Sequence, residues 1–334
     1  MPPAAAALLP HPPLLVPELA GAAAAELDPL RAACRTALST VLAAADLIIV
    51  VGDGPVWGVP EPAAAGSFRP YGADLEVALP ALVDLDLPGL PPPARLADLP
   101  LSLAVAAHLL AGLDPPATNP AAVPAVQGPP PARLAAVTTV PAFQSPSSAR
   151  LAAVTVPASL GPGAAAAIGR TLAAAAQAVG TAGLVVMGDL SACRTDRAPG
   201  TFRPEAAAYD ASISEAFRSA TPKRLLDLDP TQAASLLVSG RVPLQVLAGA
   251  FEQIDPTGEA RGRQDEPGRG RLHAKAPSET GSDAAPGETG PSAVLAHAGS
   301  GGIPDQSLGE LRGRVLYEEA PYGVGYLVAL LTTS

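Results

Sequence analysis

The sequence predicts one three-layer α/β/α domain spanning residues 1–334, with a central sheet that is mostly parallel or mixed. Short apolar runs of strand length alternate with longer segments of helical periodicity, the pattern of a parallel sheet covered by helices. Several of these runs end in turns that contain proline or glycine, where strands commonly stop. Hydrophobic residues make up 48% of the chain but aromatic residues only 3%, so the core must consist of Ala, Val and Leu.

The first strand is predicted at residues 4–9, an apolar run that Pro10 stops, as expected for a strand buried on both faces. Asp28 and Pro29 then have the residue types of a helix N-cap and a first helical position. In the helix that follows, Cys34 shares the apolar face with leucine and valine side chains, so we expect it in the core.

The second strand is the apolar run at residues 47–51, which ends in the turn GDGP at residues 52–55. Strand, helix and strand in this order begin a parallel sheet. A helix is expected near residues 101–110. Residues 132–142 and 149–158 are near-duplicates, and the second copy is the better candidate for a core strand because a helix and another strand follow it.

That helix and strand are predicted at residues 164–179 and 184–187, and the strand runs into the turn GDLS at residues 188–191. Further helices are predicted at residues 205–219, 230–240 and 243–251. Two final strands, joined by the turn PYG, are predicted at residues 314–317 and 325–330.

Charge and composition exclude several classes of partner. The formal net charge is −10 with no basic stripe, which argues against nucleic acid and anionic membranes. No apolar run reaches the roughly 18 residues of a membrane span. Cys34 and Cys193 are too few for a disulfide framework or a zinc knuckle, so reduced thiols and a cytoplasmic location are expected. The excess of Ala, Pro, Gly and Arg suggests a high-GC genome, as in actinobacteria.

Three polar side chains follow three predicted strands: His11, Asp53 and Asp189. Because the carboxyl ends of parallel strands share one edge of a sheet, these residues are expected to converge at a ligand-binding edge. Imidazole and carboxylate are ligands of non-haem iron, zinc and manganese sites. The alternative is that both aspartates cap turns or helices, whereas His11 between prolines is rigidly placed.

The other histidines and Cys193 are weaker candidates. His108 lies on an Ala/Leu helix and is expected to pack in the core, and His273 and His297 are expected at the surface. Cys193 is expected to be an inert small residue, because no base adjoins it in the sequence. Phosphate-binding glycine loops and the Gly-x-Ser-x-Gly elbow are missing from the sequence.

The order of four motifs resembles a known family. LLPHPP at residues 8–13, VVGDGP at residues 50–55, VMGDLS at residues 186–191 and SGRVPL at residues 239–244 resemble the LigB-type superfamily. This superfamily comprises class III extradiol ring-cleavage dioxygenases and MEMO-like proteins. The closing residues 320–326 also resemble uncharacterised actinobacterial members. The resemblance implies a LigB-like α/β fold, Fe(II) as cofactor, a small aromatic ligand and dimeric or other oligomeric relatives.

In the family's dioxygenases two histidines and a carboxylate hold Fe(II), and a further histidine acts as acid and base. By this resemblance His11 matches the first metal histidine. The second metal histidine falls near Pro55, the acid/base histidine at Ala192 and the third ligand near Ser239, none of which has the family's residue type. A rearranged site of His11, Asp53 and Asp189 is the remaining metal-binding arrangement.

Three hypotheses follow for the function. The chain is an extradiol-type dioxygenase with a rearranged metal site, or a non-catalytic family member that binds a small molecule or a protein in the inherited cleft. The third hypothesis is a different metal-dependent enzyme, such as a hydrolase that uses zinc or manganese. The residues favour the non-catalytic hypothesis, because Pro55, Ala192 and Ser239 replace the family's functional side chains.

Residues 255–306 are rich in Gly, Pro, Ser, Glu and Arg, and we predict a disordered insertion there. Such a segment buries too little apolar surface to offset its ordering entropy. Deleting residues 256–305 is therefore expected to leave the domain folded, as measured by circular dichroism and a cooperative urea transition. A deletion variant that unfolds would contradict the predicted disorder.

Overall fold

The computed structural model describes residues 1–113, 138–139, 149–252 and 310–334. The predicted insertion at residues 255–306 lies outside the described residues, so its disorder stays a prediction. That one domain spans residues 1–334 also stays a prediction. His273 and His297 also lie outside the described part, as does most of the first copy of the duplicated segment. Among the described residues, no helix has both the length and the apolarity that crossing a bilayer requires.

The described chain contains ten strands and seven α-helices, besides short 3-10 turns. The strands are β1 (Ala5–Leu9), β2 (Leu47–Asp53), β3 (Gly58–Ser67), β4 (Leu75–Ala78), β5 (Ala94–Asp98), β6 (Thr138–Thr139), β7 (Arg150–Val156), β8 (Ala182–Met187), β9 (Leu311–Glu319) and β10 (Tyr326–Thr333). The helices are α1 (Pro17–Ala20), α2 (Asp28–Ala44), α3 (Leu101–Ala111), α4 (Pro162–Gln177), α5 (Glu205–Arg218), α6 (Pro230–Ser235) and α7 (Arg241–Ala250).

These elements form a three-layer α/β/α fold around one mixed sheet, as predicted. The sheet order is β6-β4-β3-β7-β2-β8-β1-β10-β9, and β5 also pairs with β3. The four central strands β7, β2, β8 and β1 are parallel, whereas β10 and β9 add an antiparallel flank. Helices α2 and α3 pack on one face of the sheet and helices α4, α5 and α7 on the other.

Side chains of the central strands point alternately to the two helical layers, and this explains why their sequences are apolar at every position. In β1, Ala5, Ala7 and Leu9 contact the α2–α3 layer, while Ala6 and Leu8 contact the opposite layer. All five residues are fully buried. A strand covered on both faces has no polar side to display, so an unbroken apolar run is the expected pattern.

Strands β3, β4 and β5 were not predicted. Pro60, Pro62 and three consecutive alanines within Gly58–Ser67 give β3 weak strand propensity and no regular alternation. Two helix ends also differ from the prediction. Asp28 lies inside α2 and makes no cap with its side chain, and α6 ends at Ser235 rather than at Gly240.

The sheet edge at the carboxyl ends of β1, β2 and β8 depends on a close contact between two backbone segments. Gly188 follows β8 and packs against Gly240, which precedes α7, so that a Cβ on Gly188 would overlap the Cα of Gly240. The Gly188 N–H donates to the Leu9 carbonyl oxygen at 2.8 Å. This contact brings the loops after β1 and β8 and the start of α7 together.

Replacing Gly188 by alanine is therefore expected to lower the free energy of unfolding by about 1–3 kcal/mol, because neither backbone can yield without moving a strand or a helix. Urea denaturation measures the change. Gly163→Ala is the matched control, since no atom lies within 4 Å of the added methyl group. It should leave the free energy of unfolding nearly unchanged or raise it slightly, because Gly163 lies in the first turn of α4. Equal effects of the two substitutions would show that the contact at Gly188 is not tight.

Candidate functional site at the strand ends

His11 lies two residues beyond β1, at the edge where the central parallel strands end. Its main-chain N–H donates to Oδ1 of Asp189 at 2.8 Å. Its imidazole Nε2 lies 3.2 Å from Oδ1 of Asp53. Since β8 separates β1 from β2 in the sheet, the imidazole passes over the end of β8 to reach Asp53. The structure thus brings the three sequence-predicted residues together.

Asp189 joins three segments of the edge. Its carboxylate accepts the His11 N–H, and its own N–H donates to Oγ of Ser239 at 3.2 Å. Its carbonyl oxygen accepts the N–H of Gly240 at 3.0 Å. Each of these bonds positions a backbone segment. Asp189 therefore has a structural role, similar to the turn or helix cap that the sequence offered as the alternative to metal binding.

Asp53 provides the more open side of the site. Asp53 is the last residue of β2. The hydroxyl of Ser102, at the start of α3, donates to the Asp53 carbonyl oxygen at 2.7 Å and so positions Asp53. The Asp53 side chain is 34% exposed, compared with 5% for that of His11. Approach to the site from solvent therefore passes Asp53 first.

The charged groups at the site shift one another's pKa. Burial by itself lowers the pKa of His11, but the carboxylates of Asp189 and Asp53 outweigh it and raise the pKa from 6.5 to about 9. Burial raises the pKa of Asp189, while the charge and the N–H of His11 act against that rise. The two neighbouring carboxyl groups thus favour the protonated form of the buried His11 imidazole.

This arrangement does not fit an iron ion. A protonated imidazole cannot coordinate a cation, and the Asp189 carboxylate is engaged by a main-chain N–H. The Nδ1 atom of His11 is buried and has no hydrogen-bonding partner among the described residues. Within the same residues, no group of three or more His, Cys, Asp and Glu side chains is arranged to hold a metal.

The positions that the resemblance assigns to the family's other functional side chains do not supply the missing donors. Pro55 is exposed in the turn after β2, and Ala192 is half-buried, with its N–H donating to the Leu236 carbonyl oxygen. Ser239 is occupied as the acceptor for Asp189. None of the three offers an imidazole or a carboxylate.

Tyr326 is a site residue that the sequence did not reveal. It opens β10 and is buried, and extending the β1–β10 register by three residues places it opposite His11. Burial raises the pKa of its phenol, and the nearby Asp189 carboxylate raises it further. The sequence shows only a tyrosine at the start of the last strand, and nothing in it specifies an antiparallel pairing with β1.

The remaining candidates lie elsewhere. Cys34 is buried beneath the edge on α2, where burial raises its pKa to about 12, so its thiol stays protonated. Cys193 is buried in the opposite layer, as expected of a small core residue. His108 on α3 contacts Phe68 edge-on, at 6.2 Å between ring centroids, consistent with packing.

The raised pKa of His11 predicts a pH-dependent contribution to stability. A group with a folded pKa near 9 and an unfolded pKa near 6.5 stabilises the protein fully below pH 6.5, and this contribution is lost as the pH rises to 9. The stability difference between wild type and His11→Gln should therefore shrink by up to about 3 kcal/mol over that range. Urea denaturation at several pH values measures it.

His108→Gln is the matched control. Burial lowers the pKa of His108, so its neutral form is favoured in the folded state and its contribution grows as the pH rises through its unfolded pKa. The wild-type advantage over His108→Gln should thus grow as the pH rises toward 6.5 and then stay level, whereas the advantage over His11→Gln should shrink between pH 6.5 and 9. A wild-type advantage over His11→Gln that is constant with pH would show that His11 is not held as an imidazolium.

Comparison with known proteins adds little. No protein-family model matches the chain, and no curated protein matches it. A crystal structure of an uncharacterized protein from Escherichia coli K12 is similar over 98% of this chain and 98% of that chain, at 11% sequence identity and a TM-score of 0.38. A likeness this weak carries no inference about fold or function.

Proposed function

We propose that this chain is a LigB-type protein that binds a small molecule at the His11 edge without cleaving an aromatic ring. The observation that carries the proposal is the mutual engagement of His11, Asp53 and Asp189. Asp53 lies 3.2 Å from the imidazole, and Asp189 accepts the His11 N–H at 2.8 Å. To bind a metal, His11 would have to release its proton and the carboxylates would have to leave these contacts.

The absence of a suitable base supports a non-catalytic role. Ring cleavage in the family needs a residue that takes the catechol proton, and the resemblance places that residue at Ala192. A methyl group cannot transfer a proton, and such a group typically contributes about 10²–10⁴ in rate. The nearby Tyr326 cannot substitute readily, because its raised pKa keeps the phenol protonated.

The partly exposed carboxylate of Asp53 and the buried imidazolium behind it suit a ligand with hydroxyl groups. A hydroxyl donates to a carboxylate oxygen without bringing a charge that would have to be desolvated. A small hydroxylated aromatic molecule, the ligand class that the resemblance implies, has this chemistry. We therefore take a catechol as the first ligand to test.

The dioxygenase with a rearranged site is the second candidate. One observation favours it: His11, Asp53 and Asp189 adjoin one another, and Nδ1 of His11 has no partner among the described residues. If Fe(II) displaced the imidazole proton, a site with one histidine and two carboxylates would result. That outcome requires the His11–Asp53 ion pair and the hydrogen bond from His11 to Asp189 to be broken.

One experiment separates the two candidates. The protein is purified anaerobically, incubated with Fe(II), desalted and analysed for bound metal, and oxygen uptake is then measured with 4-methylcatechol. We expect no stoichiometric iron and no oxygen uptake, because the candidate ligands are engaged with one another. Calorimetric titration of the metal-free protein with 4-methylcatechol should show saturable binding, weakened at least about tenfold in Asp53→Asn.

Two further variants complete the design. His108→Gln lies away from the edge and should bind 4-methylcatechol like wild type, while circular dichroism establishes that each variant is folded. Stoichiometric iron that is lost in His11→Gln, together with ring-cleavage absorbance, would overturn the proposal in favour of the dioxygenase. Stoichiometric zinc or manganese in a parallel incubation would favour the metal-dependent hydrolase instead.

A further inference from the structure

A gap in the sheet beside β7 lies apart from the His11 edge. Strand β3 pairs with β7 only at Gly58 and Thr155, and then diverges to pair with β4 and β5. At the other end of β7, Leu82 forms an isolated bridge with Leu151, and the Val83 N–H donates to the Leu151 carbonyl oxygen at 2.7 Å. Between these two pairings, no described strand lies alongside β7 on the side away from β2.

A cavity of about 260 Å³ occupies this gap. Its floor is residues 152–154 of β7, and its walls are β3 and the extended segment that follows β4. The walls are mainly apolar, with half-buried side chains that include Val59, Leu85, Leu87 and Leu90.

The side-chain polar groups around the cavity are already paired. Arg95 and Asp84 form an ion pair at 3.1 Å. The indole N–H of Trp57 donates to the Pro91 carbonyl oxygen at 2.9 Å, which fastens the covering segment to the start of β3. Because the ion pair is neutral overall, it offers no unpaired charge to an ionised ligand. The cavity therefore favours a neutral occupant.

The floor supplies two hydrogen-bonding groups, both on the main chain of Ala153. In a strand the N–H and C=O of one residue point to the same side, and successive residues alternate. The Leu151 carbonyl oxygen points away from β2, toward Val83, so the N–H and C=O of Ala153 point the same way, toward the gap. Among the described residues neither Ala153 group has a backbone partner on that side. Buried backbone groups normally find a partner, so these two favour a ligand that completes them.

We propose that this cavity is a second binding site, for a small neutral molecule with one apolar ring and one amide-type group. An apolar cavity of about 150 Å³ already admits benzene, and drug-sized ligands occupy pockets of about 300–1,000 Å³. A volume of about 260 Å³ therefore matches a single substituted ring. The ring contacts the leucine and valine wall, and the amide pairs with one of the two Ala153 groups, because the N–H and C=O of a trans amide point in opposite directions. None of the residues that line this cavity is His11, Asp53 or Asp189, so the second site does not depend on the proposed function.

Acetanilide is the probe, because it is neutral and combines one ring with one amide. Titration of the ¹⁵N-labelled protein, followed by NMR, should give saturable shifts at the amides of residues 152–154 and at Leu87. Toluene should bind the same place roughly three- to tenfold more weakly, because it lacks the amide. Benzoate, which is charged, should give no saturable shift. Equal affinity for toluene and acetanilide would overturn the role of Ala153.

Val59→Phe tests the location, because the larger side chain fills the cavity from β3. It should abolish acetanilide binding. Val56→Phe makes the same change at an exposed position outside the lining and should bind like wild type. Leu90→Phe, on the opposite wall, is the second filling variant, and thermal denaturation shows that each protein is folded. No saturable shift with either neutral probe, or undiminished binding in both folded filling variants, would overturn the site.

Discussion

The half-buried carboxylate of Asp189 makes the interaction on which the strand-end edge depends. An ionised carboxylate is costly to bury unless charges and hydrogen bonds compensate it. Here the His11 N–H and the nearby imidazolium provide that compensation, and the main chain of Asp189 fixes Ser239 and Gly240. The loop after β1, the loop after β8 and the start of α7 are held by one residue, so the edge forms as a unit. Removing the His11 side chain leaves the Asp189 carboxylate without the neighbouring positive charge.

The same interaction limits the chemistry of the site. A carboxylate that compensates a buried imidazolium stabilises the fold only while it stays engaged, and a metal ion would have to replace that imidazolium's proton. Stability and metal binding therefore compete for His11, Asp53 and Asp189. The Asp53 side chain is partly exposed, so solvent reaches the site past Asp53.

Sequence reasoning succeeded where a local pattern determines the structure. The runs that become β1, β2 and β8 are apolar throughout because both faces of the central sheet are covered, and parallel strands place His11, Asp53 and Asp189 at one edge. It failed where partners distant in the sequence determine whether a segment forms a strand or where a side chain lies. The proline- and alanine-rich β3 is a strand only because β5, β4 and β7 lie beside it, and Tyr326 reaches the site only through its pairing with β1.

The position of β10 between β1 and β9 has a consequence for how the protein is made. Ala4, beside β1, and Thr333, at the end of β10, are hydrogen-bonded although 329 positions separate them in the chain. During synthesis, the edge of β1 that pairs with β10 stays unpaired until almost all of the described chain has left the ribosome. Closing so long a loop is slow, and an unpaired apolar strand is prone to associate with other chains.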